Sequence, residues 1–93
     1  MHYAKRSVYD IVLVLLAITG GIKKIIYQKY KPLLQAEIKQ YAIRLLKLPN
    51  LPPHTAETLA GIAKEVNHKK MKELVKIHCW LQKTEKQYGS ALH

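Results

Sequence analysis

The run from Ile11 to Ile22, IVLVLLAITGGI, carries no charged residue, and it limits the fold more than any other stretch. Asp10 stands on one side and Lys23-Lys24 on the other, whereas a helix that spans a bilayer needs about 20 apolar residues. The run is too short to cross comfortably. Ile11, Val12, Val14, Ile18 and Thr19 are β-branched and would suit a buried strand. No other stretch offers a strand to pair with, however, and a lone strand cannot satisfy its backbone. A helix is therefore the expected state, with strand exchange across a dimer as the alternative. Ser7 and Asp10 resemble the side chains of a helix N-terminus, and Gly20-Gly21 supply the stop. Lys5 and Arg6 precede the run as they would in a secretory signal, but Asp10 abuts the apolar part and no A-x-A site follows, so cleavage is not expected.

The rest of the chain reads as helices. In the segment 22–47, Ile22, Ile25, Ile26, Tyr30, Leu33, Leu34, Ile38, Tyr41, Ala42 and Leu45 follow the three-and-four spacing of an amphipathic helix. Pro32 predicts a kink there, or a fresh helix that it opens. LPNLPPH, residues 48–54, holds three prolines and is the clearest boundary. Beyond it, Thr55 is the expected N-cap of a helix over 56–66 with Leu59, Ile62, Ala63 and Val66 inward. Asn67 either breaks the chain or caps a last helix over 68–89. Met71, Leu74, Val75, His78, Leu81 and Tyr88 form that helix's inner face, and Gly89 is a natural residue to end it. The expected fold class is all-α: a small bundle of four to five helices, in two halves joined by the Pro-rich segment 48–54. At 93 residues the whole chain, 1–93, makes a single domain. A first helix apolar on every side is hard to cover in so short a chain, so the segment 8–22 is also where a homodimer is expected to form.

Charge says most about partners. Sixteen basic residues against 6 acidic ones give a net charge of +10, so the expected partner is anionic. Fourteen of the sixteen are lysines, and only Arg6 and Arg44 offer the planar fork suited to bidentate base recognition. Sequence-specific base reading is therefore disfavoured. The lone Cys79 cannot form an internal disulfide, which fits a reducing, cytoplasmic setting.

At 100° per residue, Lys69, Lys72, Lys76 and Lys83 fall on one stripe of the last helix, opposite its apolar face. Trp80 lies among them. An indole flanked by ammonium groups is a platform on which nucleic-acid bases stack, and at a lipid surface the same pair of features acts as an anchor. The plainer alternative has Trp80 packed under another helix with the lysine stems along its ring. Lys23, Lys24, Lys29 and Lys31 add a second basic group, within the most basic part of the chain, where Glu37 is the single acid among seven basic residues between positions 22 and 47.

The stretch from Leu59 to Asn67 resembles the first half of a helix-turn-helix reader, with Ile62, Ala63 and Val66 at apolar and small positions and Asn67 at the turn. The second half departs from that motif, because the positions that should seat a recognition helix hold Glu73 and Lys76. In size and charge the chain is also similar to bacteriocin immunity proteins and phage-encoded inhibitors, which implies an inhibitory module acting on a protein.

Catalytic patterns are sparse. Cys79 and His78 are neighbours on a helix and point about 100° apart, so a nucleophile and base pair would need His54 or His68 brought near. No CxxC, HxxxH or HExxH spacing occurs, His2 and His93 sit at termini, and the acids are scattered. His78 reads as a hydrogen-bonded core histidine. No enzyme, cofactor or metal site is expected. The expected function is a non-enzymatic binding protein, associated with nucleic acid through Lys69, Lys72, Lys76, Trp80 and Lys83 together with Lys23, Lys24, Lys29 and Lys31. The alternatives are an inhibitor or immunity-type module docking on an acidic protein, and a peripheral protein with residues 8–31 on an anionic membrane surface.

Overall fold

In the computed structural model, which describes residues 8–19 and 23–89, the apolar run is helical rather than an exchanged strand: α1 spans Val8–Thr19. The side chains of Ile18, Thr19 and Lys23 lie outside the description, as do the expected cap Ser7, the stop Gly20-Gly21, Ile22 and the terminal histidines. Three more α-helices follow: α2 (Lys23–Leu45), α3 (Pro53–Glu65) and α4 (Met71–Thr84). A 3₁₀ turn over Val66–His68 joins α3 to α4, and α4 runs on into a π turn over Glu85–Gly89. The fold is all-α, with no strand among the described residues. No helix among them is long and apolar enough to cross a membrane.

The starts of α1, α3 and α4 each have a physical cause. The first N–H groups of a helix lack intrahelical acceptors, so something else must supply them. For α1 that acceptor comes from another helix: Val8 N–H donates to Glu37 Oε1 at 2.6 Å and Tyr9 N–H to Oε2 at 3.3 Å. The carboxylate also faces the positive end of the α1 dipole. Thr55 is not the N-cap of α3. Pro52 holds that position in extended backbone, Pro53 fills the first helical position, where its missing N–H costs nothing, and Thr55 is buried within the first turn. Nor does Asn67 cap α4. It sits in the 3₁₀ turn, and Lys70 is the cap, its N–H donating to Glu73 Oε1 at 3.0 Å. That bond, joined by nearby lysines, holds the Glu73 carboxyl below its ordinary range.

Pro32 does not start a new helix. It lies inside α2, which continues through it. The lost N–H leaves the Gln28 carbonyl without its helical donor, on a side of α2 where Pro32 and Gln28 are both exposed to water.

The central element is α2, roughly 34 Å long at 1.5 Å per residue, and α1, α3 and α4 all pack against it. Leu34, Ile38, Ala42 and Leu45 of α2 meet Val12 of α1, Leu59 of α3 and Leu74 and Leu81 of α4 in one core, closed by Val66 and Met71. Two residues on the expected apolar spacing do not join it. Ile25 is 61% exposed and Leu33 51%, because their neighbours Ile26 and Leu34 face the core instead. The molecule is a slab of 42 × 38 × 16 Å with a radius of gyration of 14.2 Å, against about 12 Å for a compact chain of this length. A slab covers less of each helix than a sphere would, which also leaves Leu13 and Val14 of α1 exposed.

Candidate functional site

Lys24, Tyr27, Gln28 and Lys31 are spaced by three and four residues, so they share one stripe at the start of α2. The start of α4 lies across from this stripe, and Lys70, Met71, Lys72, Glu73 and Lys76 complete a cleft of about 920 Å³. Five lysines thus surround one recess against a single acid, Glu73. Lys69 forms an i,i+4 ion pair with that acid at 4.0 Å, the surface pairing that its spacing offers. Such a concentration of ammonium groups raises the local potential and attracts anions.

A second cleft, of about 470 Å³, opens between α3 and α4. It exists because both helices pack on α2 rather than face to face on each other. Trp80, Ile77 and Lys76 of α4 line one side, with Lys69 just before that helix, and Ile62, Gly61, Thr58 and the acid Glu65 of α3 line the other. Trp80 is half-buried: its indole packs against the core, as the plainer expectation had it, and also forms part of this wall. Lys76 lines both clefts, so the basic recess and the indole recess meet on α4.

Of the lysines singled out from the sequence, Lys69, Lys72 and Lys76 of the α4 stripe and Lys24 and Lys31 of α2 line these clefts. Lys83 and Lys29 are exposed and line neither; Lys29 instead lies 5.6 Å from the centre of the Tyr30 ring. The side chain of Lys23 is outside the description. Lys70 was not anticipated. A helix begun at His68 makes it an ordinary surface residue, whereas a helix begun at Met71 sets it at the mouth of the cleft. Glu73 and Lys76, where a helix-turn-helix needs apolar seats, are exposed.

A polar cluster, also unanticipated, lies where α1, α2 and α4 meet. His78 is only 3% exposed and is stacked on Tyr9, ring centres 4.0 Å apart and 3° from parallel. Tyr41 meets it edge-on at 5.2 Å. Its Nε2 is 3.0 Å from Glu37 Oε2, the carboxylate that also caps α1. An ionised carboxylate only accepts, so Nε2 carries the proton and the buried Nδ1 is left as an acceptor without a hydrogen-bond partner. Burial pushes the His78 pKa below its ordinary value of 6.5, although Glu37 and Asp10 pull the other way.

The Tyr9 hydroxyl shares a hydrogen bond with Cys79 Sγ at 3.4 Å, and that bond, with burial, pushes its pKa up to about 12. On the outer side, the Tyr41 hydroxyl donates to Glu85, which also accepts from Arg44 at 3.2 Å, and the Arg44 guanidinium lies 4.6 Å from the Tyr41 ring centre. Burial is the main reason why the Tyr41 hydroxyl resists ionisation. These partners tie three helices together, and almost every polar atom is committed to a neighbour. Glu37, Tyr41, Arg44 and His78 of this cluster also line a cleft of about 530 Å³, with Asp10, Gln40 and Gln82. Among the described residues no three His, Cys, Asp or Glu side chains converge as a metal site requires. Compared with family models, curated proteins and solved structures, the chain matches none.

Proposed function

We propose that the protein is a small, basic, non-enzymatic helical domain, its two halves joined by residues 48–54, that associates with nucleic acid through the clefts on either side of α4. One observation carries this reading: lysines from two separate helices, Lys24 and Lys31 of α2 and Lys70, Lys72 and Lys76 at the start of α4, line a single recess. Lysines spread over a soluble surface need no explanation, whereas convergence on one cleft costs self-repulsion that a bound anionic chain relieves. The indole beside Lys76 and Lys69 supplies a surface on which a base can stack. Phosphate contacts and stacking carry little sequence information, in keeping with a chain that has only two arginines.

The test compares a labelled oligonucleotide with anionic and neutral vesicles on one preparation. The expected result is low-salt binding to the oligonucleotide and no sedimentation with either vesicle. Lys72→Gln with Lys76→Gln, both on exposed residues, should weaken binding by about tenfold while the unfolding midpoint stays in place. Sedimentation with anionic vesicles and no oligonucleotide binding would replace this reading with a membrane-surface role. An acidic protein retained after nuclease treatment, again without oligonucleotide binding, would replace it with the docking role.

A further inference from the structure

Resting on the nucleic-acid reading above, we infer that the occupant is a single strand rather than a duplex, with its phosphates in the α2/α4 cleft and a base against Trp80 in the α3/α4 cleft. Lys76 belongs to both recesses, so a chain that fills both must cross α4 at that residue and bend as it does so. Duplex DNA has a persistence length of about 50 nm and cannot follow such a turn, whereas a single strand can. Base stacking needs an unpaired base, and the half-buried indole beside Ile62 and Ile77 meets one without regard to its identity.

Among the described residues the duplex alternative lacks its usual tools. Major-groove reading uses side chains projecting from a helix that enters the groove, with arginine the commonest contact. Here Lys24, Lys31, Lys69, Lys70, Lys72 and Lys76 line recesses, and Arg44 is bonded to Glu85 and lies over Tyr41. Charge alone predicts the opposite preference, because a duplex has the greater charge density and releases more counterions per phosphate contacted. A preference for single strands would therefore report the clefts and the indole, not the net charge of +10.

Trp80 is the only tryptophan, so intrinsic indole emission reports this cleft alone. The experiment titrates the full chain with a labelled thymidine oligomer of about 12 nucleotides and with a blunt mixed-sequence duplex at equal phosphate concentration and low salt. Label anisotropy and Trp80 emission are read together. The expected result is single-strand binding about tenfold tighter than duplex binding, with Trp80 emission changing in step with the anisotropy. Lys76→Gln should weaken the single-strand complex several-fold and leave the melting temperature unchanged, since Lys76 is exposed. Trp80→Phe, which keeps an aromatic ring against the core, should retain part of the single-strand preference. Duplex binding as tight as single-strand binding, or single-strand binding with unchanged Trp80 emission, overturns this inference and leaves the nucleic-acid reading standing. Failure of both probes to bind at low salt overturns that reading itself.

Discussion

Glu37→Ala lowers the unfolding free energy by about 3 kcal/mol, read as a fall in the urea midpoint followed by circular dichroism. The magnitude follows from what the carboxylate holds. It accepts from Val8 N–H, Tyr9 N–H and His78 Nε2, and its side chain is 22% exposed. Hydrogen bonds to a charged group contribute about 1.5–3 kcal/mol each, less where water can replace the partner. The two amides at the end of α1 can rehydrate in part, but the side chain of His78 is 4% exposed and would have neither ring nitrogen bonded to protein. Against a total of roughly 5 to 14 kcal/mol for a chain of this length, that loss is large. Glu37→Gln should cost only about 1 kcal/mol, because the amide keeps one oxygen for Val8 and can donate to an unprotonated Nε2, losing chiefly the bond from Tyr9.

The same cluster sets an acid limit. Burial makes folded His78 harder to protonate than the unfolded residue, whose pKa is 6.5. The unfolded state therefore binds the proton first as pH falls. The stability contributed by neutral His78 is complete above about pH 6.5 and declines below it, toward the lower pKa of the folded state. Glu37 opposes the burial effect, so Glu37→Gln lowers the folded pKa further and extends the decline to more acid pH. Urea midpoints measured between pH 7.5 and pH 5 check the direction: a midpoint that rose on acidification would reverse the sign.

Leu34→Ala is the second large effect, about 3 kcal/mol by the same measurement. Leu34 is fully buried in the centre of α2, and truncation there leaves a cavity whose walls, Ile38 and the facing helices, cannot close completely. The neighbouring Leu33→Ala should cost well under 1 kcal/mol, since Leu33 is 51% exposed and alanine is the better helix former. Equal losses at the two positions would mean that the α2 register is wrong.

This pair of leucines also marks how far the sequence could be read. In α4 the lysines gathered opposite the apolar face fix its orientation, so Met71, Leu74, His78 and Leu81 could be placed inward from periodicity, and all four are buried, whereas Val75 and Tyr88, expected beside them, are only half-buried. In α2 the apolar residues come as adjacent pairs, Ile25-Ile26 and Leu33-Leu34, and a period of 3.6 cannot decide between neighbours 100° apart. In α1 nearly every position is apolar, so nothing distinguished Val12, which is buried, from Leu13 and Val14, which are not.

Glu37 was overlooked for another reason. Its carboxylate acts on a helix nearly thirty residues away, and no local pattern records that partnership. A signal was present all the same: the lone acid of a basic segment stands three residues after Leu34 and four before Tyr41, on the buried side of α2. Hydrogen bonding of His78 was legible from its place on the apolar face, but its partner was not. Of the expected lysine stripe, Lys72 and Lys76 lie on α4 and line the clefts, whereas Lys69 precedes the helix and Lys83 lines neither cleft. The convergence of Lys72 and Lys76 with Lys24 and Lys31 depends on how α2 crosses α4, which is a tertiary fact that spacing within one helix does not carry.

The central claim is that lysines from two helices act together on one anionic chain, and the salt dependence of oligonucleotide binding tests it most directly. Five lysines on a single strand predict a slope of about −3.5 for log K against log salt, at about 0.7 per contact. Lys24→Gln, Lys31→Gln and Lys72→Gln should each make the slope shallower by about 0.7, and Lys29→Gln and Lys83→Gln, which lie outside the clefts, should leave it unchanged. A slope near zero, or one that responds equally to all five substitutions, would contradict the account.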